Sequence, residues 1–187
     1  MLLRNSLCKF SQDIGGLLDT IQGTLKQDIY SLTLEEKGGR LYIGELDPRA
    51  PFELTKWTPV QGDQFGHWKI NAKINGIDLT QSAVIDSATV SIMVSHEIAE
   101  SLYASANIER SDEEGLMLGM YDCHNPPNVT IQIAESTIRL SELSILLGKS
   151  DSDPSKCYWP IVGAAKNQQF GADAIFGAAF MKSMLDR

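Results

Sequence analysis

Short runs in which apolar and polar residues alternate, each cut off by glycine or Asn-Gly, recur along this chain and favour strands over long helices. DIYSLTL (28–34) alternates as a strand, EEKGG supplies a turn, and RLYIGEL (40–46) returns as its partner. LTKWTPV, GHWKINAKING and IDLTQ continue the pattern, split by Gly and Asn-Gly turns. A polar loop is expected around SDEEG. NVTIQIAESTIRLSELSILL then reads as mostly β, and CYWPIVGA as a further strand. Helical spacing is confined to a few places. In residues 11–26, Ile14, Leu17, Leu18, Ile21 and Leu25 fall on one face, with Gly15 and Gly16 weakening the front. SHEIAESLYASANI reads as a helix with Ser95 as N-cap and Glu97 and Glu100 near the positive end of its dipole. AIFGAAF runs into a short helix at FMKSML. No repeat or low-complexity linker interrupts residues 1–187, which implies a single mainly β domain.

With 187 residues, 43% of them hydrophobic and 21% charged, the chain can bury a proper core. A formal net charge of −8 makes nucleic acid and anionic membranes poor partners, so neither is expected, since both demand clustered positive charge. No apolar run approaches the roughly 20 residues that a membrane-spanning helix needs. The opening MLLRNSLCKFSQ lacks the continuous apolar segment of a secretory leader, so the expectation is a cytosolic chain or one whose leader lies elsewhere. Cys8, Cys123 and Cys157 form no C-x-x-C pair, and His67, His96 and His124 are scattered. Asp122, Cys123 and His124 lie together, but no second ligand cluster accompanies them, so neither a metal nor another cofactor is expected.

The segment AVIDSATVSIM raises a sharper question. Ala83, Val84 and Ile85 read as a buried strand, and Asp86 ends it with a carboxylate that is costly to bury unpaired. Ser87, Ala88 and Thr89 follow as a small-residue turn with two hydroxyls. An aspartate here can simply cap the turn. It can also present an acid–base group at the end of a strand.

The order of pieces along the chain bears on this choice. LLDTIQGTLKQDIYSLTL, GGRLYIGELDP, WTPV followed by GHWKI, AVIDSATVSIM and AIFGAAFMK together resemble the carboxy-terminal lobe of the pepsin-like aspartic peptidases, from about Leu17 to Met184. Glu45 stands where that family's second glycine of the Gly-Gly-x-Asp pattern is usual. The resemblance implies a single pepsin-like acid-protease lobe, a β-rich half-barrel with a few short helices. It carries the family's second D-T-G-T-S motif onto Asp86, Ser87, Ala88, Thr89 and Val90. Asp86 becomes the catalytic carboxylate, Ser87 the hydroxyl that donates across the lobe junction, and Thr89 the hydroxyl that bonds the outer carboxylate oxygen. Ala88 replaces a glycine and Val90 a serine, both beside the substrate. The resemblance also pairs Cys123 with Cys157, leaving Cys8 as a free buried thiol. A disulfide belongs to an oxidising compartment and implies a secreted ancestry.

Family enzymes use two carboxylates, one from each lobe, that share a proton and activate water. No other Asp in this sequence is followed by Ser or Thr and then Gly or Ala. The amino-terminal lobe with its own aspartate is therefore expected outside this sequence. Three functions follow. Asp86 pairs with an aspartate from a separate amino-terminal lobe or a homodimer mate and hydrolyses peptides. Alternatively, the lobe is a pseudo-peptidase that binds a peptide, protein or small-molecule ligand. In a third reading, Asp86 serves as a lone acid or base on a non-peptide metabolite. Trp57, Trp68 and Trp159 are expected in the core or at a lobe edge, and His67 on a strand surface. Asn128-Val129-Thr130 is a glycan sequon, meaningful only in a secreted protein.

Overall fold

The computed structural model describes residues 2–4, 21–27, 29–35, 38–49, 57–61, 67–165 and 171–184. The chain is mostly β and divides into two compact units, Met1–Ile70 and Asn71–Arg187. In the first unit, β1 (Leu2–Arg4) runs parallel to β4 (Trp57–Pro59), and β2 (Tyr30–Leu34) forms a hairpin with β3 (Gly39–Ile43). β5 (Lys69–Ile70) is the last strand in sequence within that unit. The GGRLYIGELDP motif folds around a buried carboxylate, Asp47, which is only 2% exposed. Asp47 accepts bonds from Thr33 Oγ1 at 3.0 Å, Arg40 Nε at 3.2 Å and the Arg49 amide at 2.9 Å. Its own amide donates to Ser31 Oγ at 2.8 Å. A buried carboxylate is tolerable only when satisfied in this way, and the set ties the hairpin to the segment after it.

Among the described residues, most of the core lies in the second unit. Its four-stranded antiparallel sheet runs β13–β12–β6–β7, built from β6 (Lys73–Ile74), β7 (Ile77–Asp78), β12 (Thr130–Ile133) and β13 (Ser136–Arg139). Asn75 and Gly76 take positive φ, 47° and 83°, in the two-residue turn between β6 and β7, as an Asn-Gly hairpin requires. The larger sheet runs in the order β10–β11–β15–β9–β16–β8, with β14 (Gly148–Lys149) beside β15. Its strands are β8 (Ala83–Ile85), β9 (Ile92–Ser95), β10 (Glu109–Glu113), β11 (Leu116–Asp122), β15 (Lys156–Ala164) and β16 (Ala174–Phe176).

Helix α1 (His96–Ala106) begins at Ser95, whose hydroxyl accepts from the Ile98 amide, and ends at Asn107 in the left-handed region. It buries Ala99, Leu102 and Tyr103. Close approach to the sheet depends on Gly163: a Cβ there would come within 2.7 Å of Ala99 Cβ and 2.9 Å of Met117 Cβ. Trp159 and Tyr103 meet edge to face at 5.7 Å in this core. The Tyr103 hydroxyl lies 2.8 Å from the carbonyl oxygens of both Met117 and Ile161. The Cys123–Cys157 disulfide pins the turn after β11 to β15, with Cα atoms 5.1 Å apart.

Several elements differ from the sequence reading. SDEEG is a turn only in part: Glu114 and Gly115 form it, at positive φ, while Ser111, Asp112 and Glu113 belong to β10 (Glu109–Glu113), an exposed edge strand whose structure comes from pairing with β11. The β11 strand itself, LMLGMYD, alternates in burial although its sequence is an almost continuous apolar run. SELSILL contains helix α2 (Glu142–Ile145) rather than a strand, because a four-residue helix is too short to express a period. Helix α3 spans Ala178–Lys182 and so starts before FMKSML. Glu97 alone occupies the first turn of α1, while Glu100 sits further along and pairs with Arg110 at 2.8 Å. His67 lies just ahead of β5 rather than in a strand. Of the expected helix at 11–26, residues 11–20 lie outside the described residues, and Gln22–Thr24 form a single 3-10 turn. Cys8 also lies outside them.

Candidate functional site

β16 lies between β8 and β9, parallel to the first and antiparallel to the second. The chain leaving β8 must therefore cross the end of β16 before it can enter β9. That crossing is the segment Asp86–Ser91. Burial anchors it on both sides: Val84, Ile92 and Phe176 are 2%, 0% and 0% exposed. Phe176 and Phe180 pack at a ring separation of 4.9 Å beneath it.

Asp86 sits where β8 ends, with its amide donating to the Phe176 carbonyl at 3.1 Å. Its Oδ1 accepts the Ala88 amide at 3.0 Å, and its Oδ2 accepts the Thr89 hydroxyl at 2.7 Å. Both oxygens thus take a bond from neutral donors in the same turn. Bonds to a charged acceptor are worth about 1.5–3 kcal/mol each. They hold the carboxylate in one orientation while leaving the side chain half-buried. Ser87 and Ala88 are exposed, Thr89 is half-buried, and Val90 is 70% exposed.

A second layer of backbone bonds fixes the loop from beneath. Gly177 N–H donates to Ser91 O at 3.1 Å, Ala178 N–H to Thr89 O at 2.7 Å and Ala179 N–H to Val90 O at 3.0 Å. These donors come from the start of helix α3, where amides have no partner inside the helix. Gly177 is required for the contact, since a Cβ there would collide with the carbonyl oxygens of Thr89 and Ser91. The role of Gly177 was not visible in the sequence beyond its place in AIFGAAFMK.

The structure brings Asp86, Ser87, Ala88, Thr89 and Val90 together on one turn, with Asp86 and Thr89 in direct contact. Two buried aspartates that sequence reasoning did not single out have structural partners. Asp47 is enclosed by the first unit's hairpin, and Asp173 accepts from Thr80 Oγ1 at 2.8 Å and the Gln81 amide at 2.7 Å. Among the described residues no group of His, Cys, Asp and Glu is arranged to hold a metal ion. Cys123 is committed to its disulfide, and Asp122 accepts from the His124 amide at 3.0 Å. Trp159 is fully buried, Trp68 is half-buried, and the side chain of Trp57 lies outside the described set. Among the described residues no helix is long and apolar enough to cross a membrane.

Chemically, an oriented, partly exposed carboxylate can take a proton from water or return one. Keeping one acid protonated and one ionised by mutual repulsion needs a second carboxylate close by.

Comparison with known proteins bears on this arrangement. A family model described as eukaryotic aspartyl protease matches residues 12–186. A protein of Malassezia globosa described as a probable inactive secreted aspartyl protease is 28% identical over 178 residues. The match covers 91% of this chain and 44% of that protein, so the chain spans less than half the length of this relative.

Proposed function

The chain belongs to the eukaryotic aspartyl protease family, and from that membership we propose that it supplies one half of an aspartic-peptidase centre, with Asp86 as its carboxylate. In this reading Asp86 and a second aspartate share one proton. The ionised member takes a proton from water as the water attacks the peptide carbonyl, and the protonated member acts as the acid. Thr89 orients Asp86, and Ser87 donates across the junction with the opposing lobe. Ala88 and Val90 face the substrate, a peptide. The second carboxylate comes from an amino-terminal lobe, in the same longer polypeptide or a separate one, or from a second copy of this chain.

The observation that carries the reading is the double acceptance at Asp86, from Ala88 N–H and Thr89 Oγ1–H. Unlike the buried Asp47 and Asp173, Asp86 keeps part of its side chain exposed while each of its oxygens is held by a donor, so the group is both oriented and reachable for proton transfer.

A second reading is favoured by Ala88. Its methyl group occupies a position that is glycine in the family, on the exposed face of the turn. The Malassezia globosa relative is also described as probably inactive. In this reading the lobe binds a peptide or small-molecule ligand and does not cleave it.

The experiment measures assembly by sedimentation and peptide hydrolysis from acid to neutral pH, with pepstatin binding by calorimetry. It is done on the chain alone and with a companion lobe, each with Asp86→Asn as control. Pepstatin-sensitive hydrolysis that Asp86→Asn abolishes supports the first reading. Pepstatin or peptide binding without hydrolysis supports the second. Hydrolysis that survives Asp86→Asn overturns any mechanism built on that residue.

A further inference from the structure

The Asn128 sequon has no part in the Asp86 site, yet its surroundings are those of a modification site. Asn128 is exposed, while Val129 beside it is fully buried and anchors the segment. The Val129 carbonyl accepts the Leu140 amide at 2.9 Å, and the Asn128 carbonyl accepts from Asn75 Nδ2 at 3.4 Å. Thr130 takes its place in β12, where its amide donates to Asn75 Oδ1 at 2.8 Å. The sequon is thus presented on a braced edge with the asparagine outward.

The Asn128 side chain has one partner among the described residues, the guanidinium of Arg139. Arg has no acceptor, so the atom it contacts must be Oδ1. The amide nitrogen is the atom left over, and it is the one that glycosylation uses. Next to it lies a surface hollow of about 510 Å³, lined by the polar Thr137, Arg139, Ser141 and Glu142 and by the apolar Pro126, Leu140 and Ile145. Its polar groups are of the kind that bond to sugar hydroxyls. Disulfides such as Cys123–Cys157 form mainly in oxidising compartments, which are also where N-glycan transfer occurs.

We propose that Asn128 carries an N-linked glycan whose first sugars cover the hollow beside Arg139. The donor is a lipid pyrophosphate-linked oligosaccharide. Asn128 Nδ2 bonds to C1 of its first sugar, the C1–pyrophosphate bond breaks, the lipid pyrophosphate leaves, and Nδ2 gives up one proton. Oδ1 is untouched, so the bond from Arg139 persists in the product. The proposal is independent of whether Asp86 is catalytic.

The full chain, placed behind a secretion leader, is translated with endoplasmic-reticulum microsomes, so that modification is read before export. The expected result is a single size step removed by peptide N-glycosidase, with residue 128 recovered as aspartate. Thr130→Ser keeps the step; Asn128→Gln and Thr130→Ala abolish it. Arg139→Ala keeps the step but speeds enzymatic release several-fold, because the first sugars lose their cover. An unshifted band while a control acceptor is modified, or a step that persists in Asn128→Gln, overturns the site. Unchanged release from Arg139→Ala overturns the placement of the sugars.

Discussion

The Ala178 amide donates to the Thr89 carbonyl over 2.7 Å, so helix α3 begins on the very turn that carries Asp86. Neighbouring bonds from Gly177 and Ala179 make this a three-point attachment. The orientation of the carboxylate is therefore a property of two distant segments, and substitutions in either one act on the same geometry.

Gly177→Ala drives a methyl group into two backbone carbonyls, neither of which can swing away. The expected cost is about 1–3 kcal/mol, the range for forced overpacking. It is read as a lower urea midpoint with an unchanged slope. A wild-type midpoint would mean that the attachment is dispensable.

Thr89→Val keeps the shape and removes the donor to Asp86 Oδ2. The loss is expected at about 1.5–3 kcal/mol, the value of a bond to a charged group. Thr89→Ser, which keeps the hydroxyl, loses much less. The pair is compared by chemical denaturation at neutral pH. Equal loss in both variants would assign the effect to packing.

Removing the disulfide by replacing both Cys123 and Cys157 with Ala opens a loop with a sequence separation of 34. On the chain-entropy estimate this costs about 3–4 kcal/mol. Thermal unfolding of the double variant, beside wild type with and without reductant, measures it. A melting temperature that reductant does not change would show that the bridge adds no stability.

Tyr103 contributes to the alkaline limit of stability. Burial pushes its phenol above the ordinary range, and its hydroxyl faces two carbonyl oxygens in the core. The folded state thus holds its proton more tightly than the unfolded state. Its contribution to stability is complete below the unfolded pKa of about 10 and falls as pH rises from there toward the folded value. Urea midpoints measured from about pH 8 to about pH 11 should decline in wild type and decline less in Tyr103→Phe. Equal slopes would mean that another group titrates.

Local chemistry made much of this molecule readable. Asn75-Gly76 specifies a hairpin because its positive φ angles suit those residues, and Ser95 specifies a helix start because its hydroxyl meets a free amide. Asp86 stood out because a carboxylate closing an apolar run needs a reason. The β10–β11 hairpin was less legible: β10 is exposed almost throughout, with no alternation to see, and exists because β11 supplies its bonds. Helix α2 is a single turn, below the length at which a period emerges.

The sequence by itself determined that the chain is mainly β, where several of its turns and its main helix cap lie, and which carboxylate ends a buried strand. Only the tertiary structure decided what that carboxylate touches. β16 reaches its place between β8 and β9 through the joint burial of Phe176, Val84 and Ile92, and only then do Gly177, Ala178 and Ala179 find the carbonyls of the Asp86 turn. Turn and cap preferences are settled by atoms a few bonds apart. Strand order is settled by which apolar faces exclude water together, and no short window of sequence contains that information.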